Sequence, residues 1–259
     1  PARYIPGACA GRPCSTVANT QSRRVLTLER PADGALAGTM SETGDGANYN
    51  AMLLSAKRRF HKNLSLLVNY TRSHCISEAY FNAEQSGSSY QNPANRAAGR
   101  DNCDSDVRRP LNSSLVVTSP SLGGDMWRRL TGQWQIATII TKRSELWISP
   151  ASGADNSLTA VGADRPDITG NWRVAQPALA KWFNTAAFRP NAAGAHGNSA
   201  PNSIEGPGAS NFDLALSREF ALTERRRLEF RVEAFNVLNH PIFGNPIVNV
   251  TNSNFVRIL

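Results

Sequence analysis

The chain has 259 residues, 41% of them hydrophobic, yet no unbroken apolar run of the ~18–20 residues that a membrane-spanning helix needs. Its 28 Lys and Arg outnumber 20 Asp and Glu, for a net charge of +8. No zinc-finger spacing, RNA-binding aromatic–basic motif or helix-turn-helix pattern accompanies that excess, which clusters near strand ends and reads as solvated turns and headgroup contact, not as a nucleic-acid surface.

In chain order, Cys9 and Cys14 come first. They enclose a tight Ala10-Gly11-Arg12-Pro13 turn and are placed to form a bridge. A first alternating stretch follows at Tyr49–Phe60, with Met52, Leu54 and Ala56 on one face and Leu53, Ser55 and Lys57 on the other. After only His61, Lys62 and Asn63, a second stretch at Leu64–Thr71 sets Leu64, Leu66, Val68 and Tyr70 against Ser65, Leu67, Asn69 and Thr71. Period-two alternation is the mark of a strand with unlike faces.

A long polar segment, 72–106, comes next, with Cys75 near its start and Cys103 near its end. Two cysteines at the base of a loop between neighbouring strands are expected within disulfide reach, with Cα atoms ~4.4–6.8 Å apart. The third and fourth stretches, Val107–Thr118 and Gln133–Ile148, are separated by a gap that carries Arg128 and Arg129. A second long segment, 149–211, is rich in Gly, Pro, Asn and Ala. Its Asp155, Asp164, Arg165 and Asp167 are candidate ligand contacts, and equally candidates for capping turns.

The last two stretches alternate most cleanly. Phe212, Leu214 and Leu216 oppose Asp213, Ala215 and Ser217; Leu228, Phe230, Val232 and Ala234 oppose Glu229, Arg231 and Glu233. Such a face pair needs water on one side and an apolar medium on the other. The gaps run short, long, moderate, long, short, as in an up-and-down sheet whose large loops share one side. The expected fold is therefore all-β: an antiparallel meander forming part of a transmembrane β-barrel, an open curved sheet when taken alone. Asp213, Ser217, Glu229, Arg231 and Glu233 would line the lumen, with Arg231 pairing across strands. Phe60, Trp134 and Phe220 at the short-gap ends, and Tyr49, Tyr70, Trp147 and Phe212 at the long-gap ends, would form two interfacial girdles.

No catalytic pattern stands out. His61, His74, His196 and His240 fall in no metal or nucleophile motif, Gly206-Pro207-Gly208 precedes a strand and not a helix, and Gly-x-Ser-x-Gly is absent. Glu229 and Glu233 around Arg231 allow a glycosidase reading, and a lumen ladder accounts for the same residues. No metal or cofactor is expected.

Several segments resemble, in order, the C-terminal barrel region of Oar-like TonB-dependent receptors. Tyr49-Asn50-Ala51-Met52 through Lys57-Arg58-Arg59-Phe60 is similar to the family's "YNAL…S..KRF" strand, and Val68-Asn69-Tyr70-Thr71-Arg72-Ser73 to its "YTWSK/H" strand end. Asp106-Val107-Arg108-Arg109, Gly162-Ala163-Asp164-Arg165-Pro166, Trp182-Phe183-Asn184 through Phe188, and Phe230 through Asn236 with Asn239-His240-Pro241 extend the likeness. The resemblance implies an outer-membrane receptor that takes up an unknown solute, contacts the TonB complex through a plug domain and closes a barrel of ~22 strands. The opening at Pro1-Ala2-Arg3 and the close at Ile258-Leu259 read as cuts through a longer protein, without the plug, the N-terminal domain or the final strand. Two other readings stay open: an outer-membrane structural or adhesion protein, and a secreted carbohydrate-binding β-sandwich. An apolar face meeting a second sheet would mark the sandwich.

Overall fold

A computed structural model describes residues 1–34, 46–60, 63–78, 81–82, 87–88, 90–120, 124, 131–162 and 164–259. Its frame is one antiparallel meander of β1 (Ala47–Phe60), β2 (Leu64–Ser77), β3 (Leu111–Thr118), β4 (Trp134–Arg143), β5 (Ala209–Thr223) and β6 (Arg226–Ala234). Strands adjacent in sequence are adjacent in the sheet, as alternation and gap length predict. The short pair Asp101–Asn102 adds to the end of β2. A tight turn between Thr223 and Arg226 joins β5 to β6, and Arg225 N–H donates to Thr223 Oγ1 across it.

Register sorts the side chains. Leu216 lies opposite Val232 and Ile136, Ile136 opposite Val117, and Val117 opposite Leu64. Leu214, Thr138, Leu115, Leu66 and Arg58 form the next row on that face, and Phe212, Ile140, Ser113, Val68 and Ala56 the one after it, so that the face is mainly apolar with few polar members. The other carries Asp213, Ser217, Glu229, Arg231 and Glu233, but it is mixed in the middle, where Leu67, Val116 and Ile139 also point.

Several boundaries differ from those read in the sequence. β2 runs on past Thr71 to Ser77, so Cys75 sits inside a strand, because β1 pairs with it back to Ala47 and Asp101–Asn102 adds to its last two residues. β3 begins at Leu111, not Val107, and β4 ends at Arg143. Trp147 and Ile148 pair instead with Glu205 and Ile204 in a separate two-stranded ribbon.

The girdles hold in part. Trp134 and Phe220 lie on the apolar face at one end, with Phe230 edge-on to Trp134 at 6.3 Å, and Tyr70 and Phe212 lie on that face at the other end. Tyr49 points to the opposite face, opposite Cys75. Trp147 is buried under the Arg108 guanidinium, 4.3 Å away, and is no interfacial residue. The Phe60 side chain and residues His61, Lys62, Arg128, Arg129 and Ala163 lie outside the described residues.

The buried hydrophobic cluster is not in the sheet. Phe183, Ala187, Phe188, Ile204 and Val256 form it, all from the second long segment and the C-terminal segment. Phe183, Phe188 and Phe255 meet edge-to-face with centroids 5.2–5.8 Å apart. The long segments are therefore a folded layer. It is tied to the N-terminus by Ala2 N–H donating to Thr159 O (2.8 Å) and to the C-terminus by Trp182 N–H donating to Val256 O (3.1 Å).

Candidate membrane wall and loop cap

The apolar face meets no second sheet among the described residues. Leu228, Phe230 and Val232 are about half exposed (54%, 48% and 50%), as are Met52, Leu54 and Ile136. A sandwich would bury these rows against a facing sheet. From Phe212 to Phe220 this face follows β5 for ~27 Å at ~3.4 Å per residue, broken at Arg218, whose buried guanidinium stacks on the Trp134 and Phe220 rings. At a strand tilt of ~40° that is ~21 Å of height, close to the ~25 Å apolar band of a membrane barrel.

The opposite face is charged and open. Arg227 donates to Glu219 Oε2 at 3.3 Å, and Glu219 lies directly opposite Glu229. Two carboxylates in register repel, and the Arg227 cation beside them offsets this. Arg231 ion-pairs with Glu233 two residues along its own strand, and its cross-strand partner is the neutral Ser217. The expected cross-strand Arg231 pair is thus replaced by one along the strand. Ser217 Oγ reaches Gln135 Oε1 at 3.4 Å. Asp213 accepts from Asn236 N–H (2.9 Å) and Asn211 Nδ2 (2.8 Å), which closes the end of β6 against β5. Glu219, Arg227, Glu229 and Gln135 border a shallow depression of about 430 Å³.

The cap is fastened to the sheet at one hub. The disulfides Cys9–Cys14 and Cys75–Cys103 form with Cα separations of 4.8 and 5.3 Å, as expected from the sequence. Beside the second, the fully buried Asp106 carboxylate accepts from Cys75 N–H and from Arg108 Nε, both at 2.9 Å. Arg108 also donates to His74 Nε2 at 3.0 Å. Asn102 Oδ1 lies 3.2 Å from the same ring nitrogen, so His74, Asn102 and Arg108 meet at one point. Asn102 and Asn202 then clasp the two long segments: Asn102 Nδ2 donates to Asn202 O (3.0 Å), and Asn202 Nδ2 donates to Asn102 O (2.8 Å) and Asp104 Oδ1 (2.6 Å). Burial raises the Asp101 carboxyl pKa against the pull of the Asn102 N–H and the Arg108, Arg165 and His74 charges, and it raises that of Asp104 against the Asn202 hydrogen bond. No sequence pattern points to this hub beyond the Asp106-x-Arg108 spacing.

The loop residues singled out in the sequence lie within the cap. Asp155 accepts from Thr159 N–H (3.1 Å) and Ala160 N–H (2.9 Å), closing a turn. Asp164 is buried and accepts from Ser157 N–H (2.6 Å) and Asn191 Nδ2 (3.2 Å). Buried Arg165 donates to Ser199 O (2.7 Å) and Ala98 O (3.0 Å), joining both long segments. Asp167 accepts from Asn198 N–H at 2.9 Å and lies opposite Arg189 in a small ribbon. Among the described residues no group of three or more His, Cys, Asp or Glu is placed to hold a metal.

Comparison with known families matches residues 4–259 to a family described as "Outer membrane beta barrel domain". The chain belongs to that family. No curated protein and no solved structure matches it. Membership places this outer-membrane barrel domain in the bacterial outer membrane and gives its two faces their solvents. In barrels of this kind the apolar face meets lipid and the polar face turns inward. Short barrel turns lie on the periplasmic side and large loops outside. The β5–β6 turn is of the short kind and the cap with both disulfides of the large kind, in a compartment where disulfides persist.

Proposed function

We propose that this barrel domain is the wall and outer cap of a TonB-energised receptor that admits a solute, and that it has no catalytic role. The observation that carries the reading is the inner face. Glu219, Arg227, Glu229, Arg231 and Glu233 present alternating charge along an open, hydrated surface, a lining suited to polar cargo. The ordered resemblance to Oar-like receptors supplies the energy source: a plug contacting the TonB complex in the periplasm.

A second reading, a surface anchor whose cap contacts other molecules, is favoured by one observation. The hydrogen-bonding groups of Asp155, Asp164 and Arg165 are engaged inside the cap rather than offered outward. Planar-bilayer recording of the parent protein separates the two. A conduit passes current once any plug is displaced, and Glu229→Gln with Glu233→Gln moves its cation/anion selectivity. An anchor passes none. Binding of the parent protein to the periplasmic domain of the TonB transducer tests the energy source independently.

A further inference from the structure

Charge is divided between the two faces of this sheet in a one-sided way. On the lipid-facing side of the six strands, the residues at fixed charge are Arg58, Arg72, Lys142 and Arg218, with no carboxylate. All the strand carboxylates that alternate with the apolar rows (Asp213, Glu219, Glu229 and Glu233) point inward. Water does not impose such a division, since a solvated rim accepts either sign. A layer of phosphates does, because it attracts cations and repels carboxylates.

The cap-side rim carries the clearest pair. Arg72 and Lys142 are both exposed, and neither side chain has an ion pair or hydrogen bond among the described residues. Lys142 lies opposite Leu111, Leu111 opposite Tyr70, and Arg72 is the next residue on that face of β2. Two strand spacings and one pleat repeat put their Cα atoms ~12 Å apart. Each stands ~27 Å along its own strand from the periplasmic end, at Leu64 on β2 and Trp134 on β4. β5 runs on past Leu216, in register with Leu64, to Thr223, a stagger that tilts the strands so that Arg72 and Lys142 share one height above the apolar band. Tyr70 and Leu111 between them offer an apolar seat for acyl chains.

We propose that Arg72 and Lys142 form a docking site for a phosphorylated glycolipid of the outer leaflet, each cation taking one of two phosphates while the acyl chains lie along Tyr70, Leu111 and Ile140. The proposal rests on the membrane-wall assignment of the sheet and is independent of solute conduction. A glycerophospholipid with a single phosphate, such as phosphatidylglycerol, leaves one of the two cations unused, so the spacing selects a bisphosphorylated lipid.

The test is native mass spectrometry of the full-length protein in detergent micelles, titrated with bisphosphorylated lipid A, its dephosphorylated form, or phosphatidylglycerol. A cation near an anionic lipid surface contributes about fivefold in affinity, so the pair gives a preference of roughly 30-fold for the bisphosphorylated form. Arg72→Gln with Lys142→Gln abolishes that preference, Arg72→Lys with Lys142→Arg keeps it, and Lys57→Gln with Arg59→Gln on the inner face leaves it intact. Equal binding of the dephosphorylated lipid, equal binding of phosphatidylglycerol, or loss with the inner-face pair overturns the proposal. A nitroxide at Leu216→Cys reports separately on the wall assignment. Stronger relaxation by oxygen than by a water-soluble nickel chelate marks lipid contact whatever the headgroup result, and the reverse sinks the wall assignment itself.

Discussion

Replacing Asp106 with Ala removes the acceptor for two hydrogen bonds at the hub, Cys75 N–H and Arg108 Nε, both at 2.9 Å. The carboxylate side chain is 0% exposed, so no water takes its place, while the Arg108 side chain is 30% exposed and is partly rescreened. Stranding a buried N–H costs ~1–3 kcal/mol, and the screened charge-assisted bond to Arg108 adds ~1 kcal/mol. The expected loss of local stability is therefore ~2–4 kcal/mol, a ~30- to 1,000-fold faster amide exchange where opening is local. Hydrogen-exchange mass spectrometry should find that acceleration in peptides covering 73–78 and 100–108, with the amides of β5 unchanged. Asp106→Asn keeps an oxygen for the Cys75 N–H and should show only the smaller, charge-related part. Acceleration below about threefold for the Ala variant, or an equal effect in β5, would refute the view that this carboxylate pins the cap to the rim.

The Cys75–Cys103 bridge closes a sequence separation of 28 residues; Cys75→Ser with Cys103→Ser should destabilise the cap by ~3–4 kcal/mol on the chain-entropy argument, read as faster protease cleavage between Ser77 and Asp101. Burial holds the Asp104 carboxyl above its ordinary value of 3.8. The charged form is therefore penalised in the folded state, and the cost sets in as pH rises through 3.8 and is complete above the raised value. Asp104→Asn keeps the acceptor for Asn202 Nδ2, so it should slow cap exchange at pH 7, and the gain should vanish below pH 3.8. On the sheet, Leu216→Arg should cost ~2–4 kcal/mol of folding into liposomes, whereas Ser217→Arg, one residue on but facing inward, should cost less than ~1 kcal/mol. Equal costs at the two positions would contradict the assignment of the faces.

The sheet was legible because its signal is local and periodic. Alternation at 212–217 and 228–234 fixes the faces, and the three-residue gap at 61–63 fixes the first hairpin. β2 beyond Thr71 was not legible. Arg72-Ser73-His74-Cys75 reads as loop, and it is extended because Tyr49–Met52 of β1 pair with it residue for residue. Trp147 failed for a related reason: sequence does not distinguish an aromatic ring sorted to a membrane interface from one stacked on an arginine of another segment. Asp155 was legible as a turn cap, since its partners lie within five residues. The Asn102–Asn202 clasp joins side chains 100 residues apart through backbone carbonyls, which leave no trace in composition or spacing.

The two parts of the molecule are held by different forces because they meet different solvents. The sheet leaves large apolar side chains such as Phe230 and Val232 about half exposed, so they add little to a protein interior, and the strands depend on their ladders and on the medium around them. The cap faces water with a small hydrophobic cluster around Phe183, too few residues for its length, and it compensates with a disulfide, a buried carboxylate and paired asparagines. It follows that reductant acts first on the cap, and detergent or lipid composition acts first on the sheet. The hub at Cys75, Asp106 and Arg108 is where the two meet, since the same β2 residues belong to the ladder and to the cap. Loosening it should free the cap at the cell surface while the wall stays in the membrane.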